Sequence, residues 1–279
     1  MVKLPENSRL VDAAGQPLSS LKAINRLQES EKITIYSRLL PGRLARLLNI
    51  DLEDPLRLAQ NGVFKVVAPS GLSLVRIAVH SGSSQDAVFF VELSDTQFHQ
   101  MELSFCMIRD PDAPRFDVDM DAEGRNNWFT SHGRNIPEEV RAMSAGLFPN
   151  QVRRGLRMFG EFLPLLELFT DALGIEMIMA EPLTYDNAIR YEKYGFDYLR
   201  GKRLMLEINR EFQPGGRYYM KLDSSSPFRR PGAEHTVRGR SWAIHDGVLD
   251  EPWDEVQIYK VIGVHAGVNT FPERMQEQQ

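Results

Sequence analysis

Short apolar runs separated by turn residues dominate the chain between residues 63 and 108. Each run is rich in β-branched and aromatic residues, and Gly, Ser, Asp or Pro stands between them: Val63–Ala68, Leu72–His80, Ala87–Leu93 and Met101–Ile108. Runs of this length and composition predict β-strands. Because the connections between them are short, we predict an antiparallel meander.

A helical spacing of apolar residues follows the meander in two segments. Asn135 is a candidate N-cap for a helix over Ile136–Met143, whose first turn holds a proline and two glutamates. Asn150 is the candidate cap of a longer helix, which Pro164 should kink or divide and Gly174 should end. The apolar stripe of this second helix consists of Val152, Leu156, Phe159, Leu163, Leu166 and Phe169.

Strands and helices alternate beyond Gly174. The pattern predicts a strand over Ile175–Ala180, a short helix over Asp186–Tyr194 that Gly195 stops, and a strand over Arg203–Ile208. A meander that leads into a strand, a helix and a strand is typical of a mixed sheet. We therefore predict an α+β fold.

The flanks of this core have their own patterns. The N-terminal flank carries leucines at helical spacing, which predict short helices. The C-terminal flank holds an Asp246-Gly247 pair, which favours a hairpin turn, and the strand-like run Val256–Ile262, so we predict a β-rich extension. The predicted parts are an N-terminal extension, a core with one insertion and a C-terminal extension, at residues 1–62, 63–208 (insertion about 121–149) and 209–279.

Composition and charge exclude several classes of protein. Of the 279 residues, 42% are hydrophobic and 25% are charged, which is typical of globular proteins. The net charge of −5 argues against nucleic-acid binding, because phosphate affinity needs an excess of clustered Lys and Arg. Charged residues interrupt the most apolar stretch, Phe159–Leu183, so we expect no membrane span. The single cysteine, Cys106, suits a cytoplasmic protein.

Other chemistries lack a motif in the chain. The six histidines show no His-x-x-x-His or Glu-x-x-His spacing, so we expect no metal. There is no Gly-x-Ser-x-Gly elbow and no Walker or Rossmann glycine run, so the sequence does not support serine hydrolysis, nucleotide hydrolysis or dinucleotide redox chemistry.

One motif is sharper than the rest. The run Ala188-Ile-Arg-Tyr-Glu-Lys-Tyr-Gly-Phe196 resembles the closing motif of the GNAT acyltransferase superfamily, in which a short helix ends in Tyr-Glu-Lys-x-Gly-Phe. The order of predicted elements over residues 63–208 is similar to that family as well. The resemblance implies that Tyr191 is the general acid that protonates the leaving thiolate. The alternative is that Tyr191 is a core residue of the short helix.

The resemblance also implies a pyrophosphate site at the turn before the long helix. In the family this turn reads Arg/Gln-x-x-Gly-x-Gly/Ala. Here Gly155 matches the first glycine, while Val152 replaces the Arg or Gln and Arg157 replaces the second small residue. Arg153, Arg154 and Arg157 would place positive charge in the first turns of the predicted helix, where an anion is favoured. The alternative is an ordinary solvated helix edge.

Acidic residues alternate along Arg115–Met120, which we predict to be a further strand. The resemblance favours one of its carboxylates, Asp119, as the residue that relays a proton from the amine. The simpler alternative is a solvated strand edge whose charges discourage aggregation. A calcium loop is disfavoured, because Ala122 and Trp128 replace the required glycine and glutamate.

These observations together predict a GNAT-like N-acyltransferase that uses acetyl-CoA or another acyl-CoA as donor and a small-molecule or peptide amine as acceptor. Two alternatives stay open. The changes at Val152 and Arg157 favour a catalytically silent binding or regulatory module. A thioester of a carrier protein or an aminoacyl donor is the other, with an acidic carrier facing Arg153, Arg154 and Arg157.

Overall fold

The computed structural model of the chain describes residues 9–81, 86–128, 130 and 132–272. In this part, ten α-helices occur at Leu21–Ile24 (α1), Glu29–Tyr36 (α2), Gly42–Leu48 (α3), Pro55–Gln60 (α4), Ile136–Ser144 (α5), Phe159–Ala172 (α6), Tyr185–Lys193 (α7), Lys202–Glu211 (α8), Arg217–Met220 (α9) and Val237–His245 (α10). Seven strands occur at Phe64–Val67 (β1), Leu74–His80 (β2), Ala87–Asp95 (β3), Met101–Ile108 (β4), Met177–Ala180 (β5), Asp197–Arg200 (β6) and Gln257–Val261 (β7).

The strands form one mixed sheet in the order β1-β2-β3-β4-β5-β7-β6. Strands β1 to β4 pair antiparallel with their neighbours in sequence, which confirms the predicted meander. β4 and β5 are parallel. The predicted α+β class with a mixed sheet is therefore confirmed.

Contacts between residues divide the chain into two compact units that alternate along the sequence. The first consists of Met1–Pro111, Gly155–Ala180 and Tyr259–Val264, and the second of Asp112–Arg154, Glu181–Ile258 and His265–Gln279. The three-part division of the sequence at residues 62 and 208 stays a prediction.

The core of the first unit lies between the meander and α6. Val75, Ile77 and Val79 alternate along β2 on its buried face, as a strand with one buried face requires. Phe162 on α6 packs edge-on against Phe89 on β3, with ring centroids 5.6 Å apart. A helix of 14 residues with a continuous apolar stripe thus covers the centre of the sheet.

The predicted N-terminal helices are confirmed as α1 to α4. The hydroxyl of Tyr36 donates to Asn25 Oδ1 over 2.5 Å, and the Asn25 side-chain amide donates to the carbonyls of Leu72 and Leu74. Burial and the charge of Asp95 raise the pKa of Tyr36 far above its usual range, so its proton stays in this bond. The bonds attach α1 and α2 to the start of β2.

An apolar cluster forms the core of the second unit. Trp242 on α10 stacks on Phe228 with 5.1 Å between ring centroids and donates its indole N–H to the carbonyl of Leu147 over 2.9 Å. The helix over Ile136–Ser144 packs here, and its predicted N-cap is confirmed, because the Asn135 side chain accepts from the Glu138 N–H.

Three predictions for the residues after β6 are wrong. Residues 203–208 are part of helix α8, since the buried residues Met205, Ile208 and Phe212 recur at helical rather than alternating spacing. Gly247, with φ 79°, ends α10 instead of forming a hairpin, and its N–H donates to the Ile244 carbonyl. Residues 209–279 thus hold mainly helices and the single strand β7 in their described part, and the predicted β-rich extension is wrong.

The segment Arg115–Met120 is not a strand. It consists of loop and turn, with one isolated bridge between Met120 and Asn126. Phe116 and Val118 point into the apolar core of the second unit, so their alternation reflects burial of two side chains rather than sheet pairing. The strand β6, which follows Gly195, was not predicted.

The long helix begins at Phe159 and not after Asn150. Asn150 has φ 63° and Arg157 has φ 56°, values that a continuous right-handed helix does not contain. Pro164 lies inside α6 without dividing it. Arg153, Arg154 and Arg157 therefore precede the helix instead of lying in its first turns.

None of the helices in the described part of the chain is both long enough and apolar enough to cross a membrane.

Candidate functional site

Strand β4 extends beyond its parallel partner. The pairing with β5 runs from Met101 opposite Ile178 to Leu103 opposite Ala180, where β5 ends. β4 continues to Ile108. Within these two strands, the last five residues of β4 therefore lack a β5 partner.

A β-bulge lies at the point where this pairing stops. On the other side of β4, Leu93 pairs with Leu103 and Glu92 pairs with Phe105, so Ser104 has no counterpart in β3. A bulge bends its strand and increases the local twist. The bulge therefore coincides with the end of the β4–β5 pairing at Leu103.

The portion of β4 beyond Leu103 is partly open to solvent. Met101 and Leu103 are buried, whereas each residue from Ser104 to Ile108 is half-buried. A partly exposed strand that extends past its neighbour in the sheet is a place where a peptide-like group can align with the backbone. This edge is the central feature of the candidate site.

The far end of the edge meets the segment that leads into α6. Gly155 forms an antiparallel bridge with Arg109, and the Leu156 N–H donates to the Ile108 carbonyl over 3.3 Å. A Cβ on Gly155 would lie 3.2 Å from the Ile108 carbonyl oxygen, so a side chain here would press on β4. Glycine at this position permits the close approach of two backbones.

Helix α6 starts at Phe159, four residues beyond Gly155. Met158 is buried, and its carbonyl accepts from the N–H groups of Glu161 and Phe162. Arg157 is exposed and lies two residues before the helix. The positive end of a 14-residue helix and one guanidinium thus flank the same segment of the first unit.

The other predicted site residues belong to the second unit. The side chain of Arg153 donates to the Ala113 carbonyl, and Arg154 is exposed. Asp119 lies in a turn and accepts two hydrogen bonds, of 2.9 and 2.7 Å, from the guanidinium of Arg115. Val152 is 2% exposed and belongs to the apolar core, which explains why no Arg or Gln occupies its place.

Tyr191 lies on α7 and is half-buried. Its ring packs edge-on against Phe196, with 4.8 Å between centroids, and its carbonyl accepts from the N–H groups of Tyr194 and Phe196. The structure thus confirms the predicted helix and its termination near Gly195, which has φ 86°. The two ends of the Tyr-Glu-Lys-Tyr-Gly-Phe run are in direct contact.

Glu192 of the same motif is a buried carboxylate. Its Oε1 accepts from the Tyr198 hydroxyl over 2.6 Å and from the Thr270 hydroxyl over 2.5 Å, and its Oε2 accepts from the Thr270 N–H over 3.0 Å. Burial and the adjacent Glu192 charge raise the pKa of Tyr198 far above its usual range. The motif therefore holds residues near the end of the chain onto α7 and β6.

A polar network in the second unit was missed by the sequence reasoning. Glu139, 1% exposed, accepts from the guanidinium of Arg134 and lies 3.2 Å from His245 Nε2. Arg134 also donates to Asp246 over 2.9 Å. Burial alone would raise the pKa of Glu139, but its bonds to His245 and Arg134 outweigh burial and hold the pKa below its usual value.

No signal in the sequence joins these residues. Glu139 carries the pattern of an ordinary acidic residue in the first turn of a helix, and its partner His245 is 106 residues away. Among the described residues, no group of three or more His, Cys, Asp or Glu side chains could hold a metal ion.

Comparison with known proteins identifies no relative. No family model matches the chain, and neither a curated protein nor a solved structure matches it.

Proposed function

We propose that the chain is a GNAT-like N-acyltransferase, which transfers an acyl group from acyl-CoA to an amine. The observation that carries the proposal is that β4 continues beyond the end of its pairing with β5, beside the segment that leads into α6. The flexible arm of acyl-CoA contains two amide groups, and amides add to an exposed strand edge through backbone hydrogen bonds. The pyrophosphate of the same molecule is favoured at a helix N-terminus.

The chemistry needs few groups from the protein. The amine nitrogen attacks the thioester carbonyl, a C–N bond forms, the C–S bond breaks, and the thiolate leaves. The amine loses one proton and the thiolate takes one, so an acid and a base assist. The resemblance assigns the acid to Tyr191, whose phenol keeps its proton until a strong base such as a thiolate is beside it.

Asp119 remains the proposed proton relay, and its pairing with Arg115 makes it the weaker of the two assignments. Both oxygens of its carboxylate accept hydrogen bonds from the guanidinium. A carboxylate that relays a proton must give up one of these bonds during the reaction.

A second candidate function is a binding or regulatory module that retains the fold without catalysis. The buried side chain of Val152 favours it, because this position supplies no polar group to a phosphate. The exposed Arg157 at the position of a second small residue favours it as well.

Thermal unfolding with acetyl-CoA and longer acyl-CoAs tests the donor site. Saturating donor should raise the melting temperature, because a ligand that binds only the folded state stabilises it. Arg157→Glu should weaken this effect, whereas Arg57→Glu, a charge reversal at an exposed arginine on α4, should leave it unchanged. No shift with any acyl-CoA at millimolar concentration would reject the proposal.

Release of free thiol with a panel of amines then separates the two functions. Tyr191→Phe removes only the hydroxyl and keeps the ring that contacts Phe196. We expect it to lower the turnover number by roughly 10²–10⁴-fold with little change in acyl-CoA binding, as the loss of a general acid does. Acyl-CoA binding without turnover on any amine supports the silent module instead.

A further inference from the structure

The second unit contains a cleft of about 320 Å³ at its surface. The wall of the cleft combines the ring of Trp253 with apolar side chains and with four charged groups: Glu181, Arg200, Asp254 and Glu255. A concave site with apolar walls and a few convergent charges is the usual form of a small-molecule site.

Trp253 is held in place within the cleft. Its indole N–H donates to the Pro182 carbonyl over 3.0 Å, and its ring meets that of Tyr185 edge-on, with 6.3 Å between centroids. A contact at each of these points fixes the orientation of the indole. The ring is therefore a rigid wall whose face carries the negative potential of an aromatic quadrupole.

The charges in the cleft are unbalanced. Three carboxylates line it against one guanidinium, and none of the four groups forms an ion pair with another residue that the structure describes. Glu181 accepts one hydrogen bond, of 2.6 Å, from the neutral amide of Gln257, which leaves its charge uncompensated. The cleft therefore attracts positive charge.

We propose that this cleft binds an organic cation with an ammonium group, which lies against the face of Trp253 and pairs with Asp254 and Glu255. The face of a tryptophan ring and a carboxylate both carry negative potential, so both attract a cation. The attraction is strongest where water is partly excluded. A neutral ligand of the same length gains neither interaction.

A compound with two amino groups is the sharpest probe of the cleft. One ammonium group meets the ring of Trp253 and the two carboxylates, and a diol of the same length is its uncharged counterpart.

Calorimetric titration at low ionic strength, without acyl-CoA, tests the cleft. The probes are 1,5-diaminopentane and the neutral 1,5-pentanediol. We expect the diamine to bind at least tenfold more tightly than the diol, with affinity that falls as salt is added. Equal binding of the two probes would overturn the proposal.

Matched variants locate the binding. The double variant Asp254→Asn and Glu255→Gln should weaken diamine binding at least tenfold, whereas Glu251→Gln removes an exposed carboxylate outside the cleft and should leave it unchanged. Trp253→Leu should weaken it several-fold, and Trp128→Leu, which changes an exposed tryptophan elsewhere in the unit, should not. Equal losses in the cleft variants and their controls would reject the site.

The two proposals fail separately. If the diamine binds as described while acyl-CoA has no effect on the protein, the cleft stands and the acyltransferase is wrong. If acyl-CoA binds but the diamine binds no more tightly than the diol, the acyltransferase stands and the cleft proposal is wrong.

Discussion

Alanine in place of Gly195 tests how the motif at the end of α7 works. Gly195 has φ 86°, a backbone conformation that side chains rarely adopt. A Cβ at this position would lie 2.9 Å from His265 Cα and 3.0 Å from two atoms of the imidazole ring. The backbone of the segment near the end of the chain therefore has to move before alanine fits.

Two contributions set the expected loss of stability. The left-handed conformation costs about 1–2 kcal/mol for a residue with a Cβ. The overlap with His265 adds about 1–3 kcal/mol, because moving this segment disturbs the 3.1 Å bond from the Ala266 N–H to the Gly195 carbonyl. We expect Gly195→Ala to lower the free energy of unfolding of the second unit by about 2–5 kcal/mol.

Gly215→Ala is the matched control. Gly215 has φ 84° and belongs to the same unit, but a Cβ there would have nothing within 4 Å. Gly215→Ala should therefore lower the free energy of unfolding only by the cost of the left-handed backbone conformation, about 1–2 kcal/mol. The difference between the two variants isolates the contact with His265.

Tryptophan fluorescence during urea unfolding measures this difference. The three tryptophans, Trp128, Trp242 and Trp253, all belong to the second unit, so the signal reports on that unit. If the two glycine variants lose the same free energy, the close approach of His265 does not constrain Gly195, and the structural explanation of this glycine is wrong.

Two further predictions concern the buried network around Glu139. Glu139→Ala leaves the guanidinium of Arg134 with Asp246 as its carboxylate partner in the network, and we expect a loss of about 3 kcal/mol in urea unfolding. The double variant Glu139→Ala with Arg134→Met should lose less free energy of unfolding than the sum of the losses of the two single variants. An additive result would contradict the pairing of Glu139 with Arg134. The folded-state pKa values of Glu139 and Asp246 are both lowered, so their stabilisation is present above their ordinary pKa near 4 and disappears as the pH falls through the lowered values. Urea unfolding between pH 3 and about 6 should show this loss, with a shallower slope for Glu139→Gln; equal slopes would refute it.

Local patterns were sufficient to predict the meander. Its four strands are short apolar runs with short connections, so pairing between neighbours in sequence decided their arrangement. Residues 203–208 show the limit of this reasoning. An apolar run of that length fits either a strand or a helix, and only Phe212, which lies outside the run, extends the buried spacing to that of a helix.

The candidate site depended on a feature that no local pattern encodes. The run from Met101 to Ile108 is uniformly strand-like, yet the bulge at Ser104 and the end of β5 at Ala180 divide it into a part that pairs with β5 and a part that extends beyond β5. Both events depend on the register with neighbouring strands, and β5 is far from β4 along the sequence. Sequence spacing therefore predicted the strand but not the point where its pairing with β5 ends.

The residues of the turn before α6 differ in whether the fold explains their identity. Gly155 is required by the approach of the chain to β4, and Val152 by the apolar core of the second unit. Both identities have structural causes, so neither by itself argues for a phosphate ligand. Arg157 differs from these two residues, because it is exposed and has φ 56°. Its positive charge also lies two residues before α6, where it opposes the dipole of the helix. An anion near this residue would remove that conflict, so charge reversal at Arg157 tests anion binding at this turn more directly than any change at the glycine.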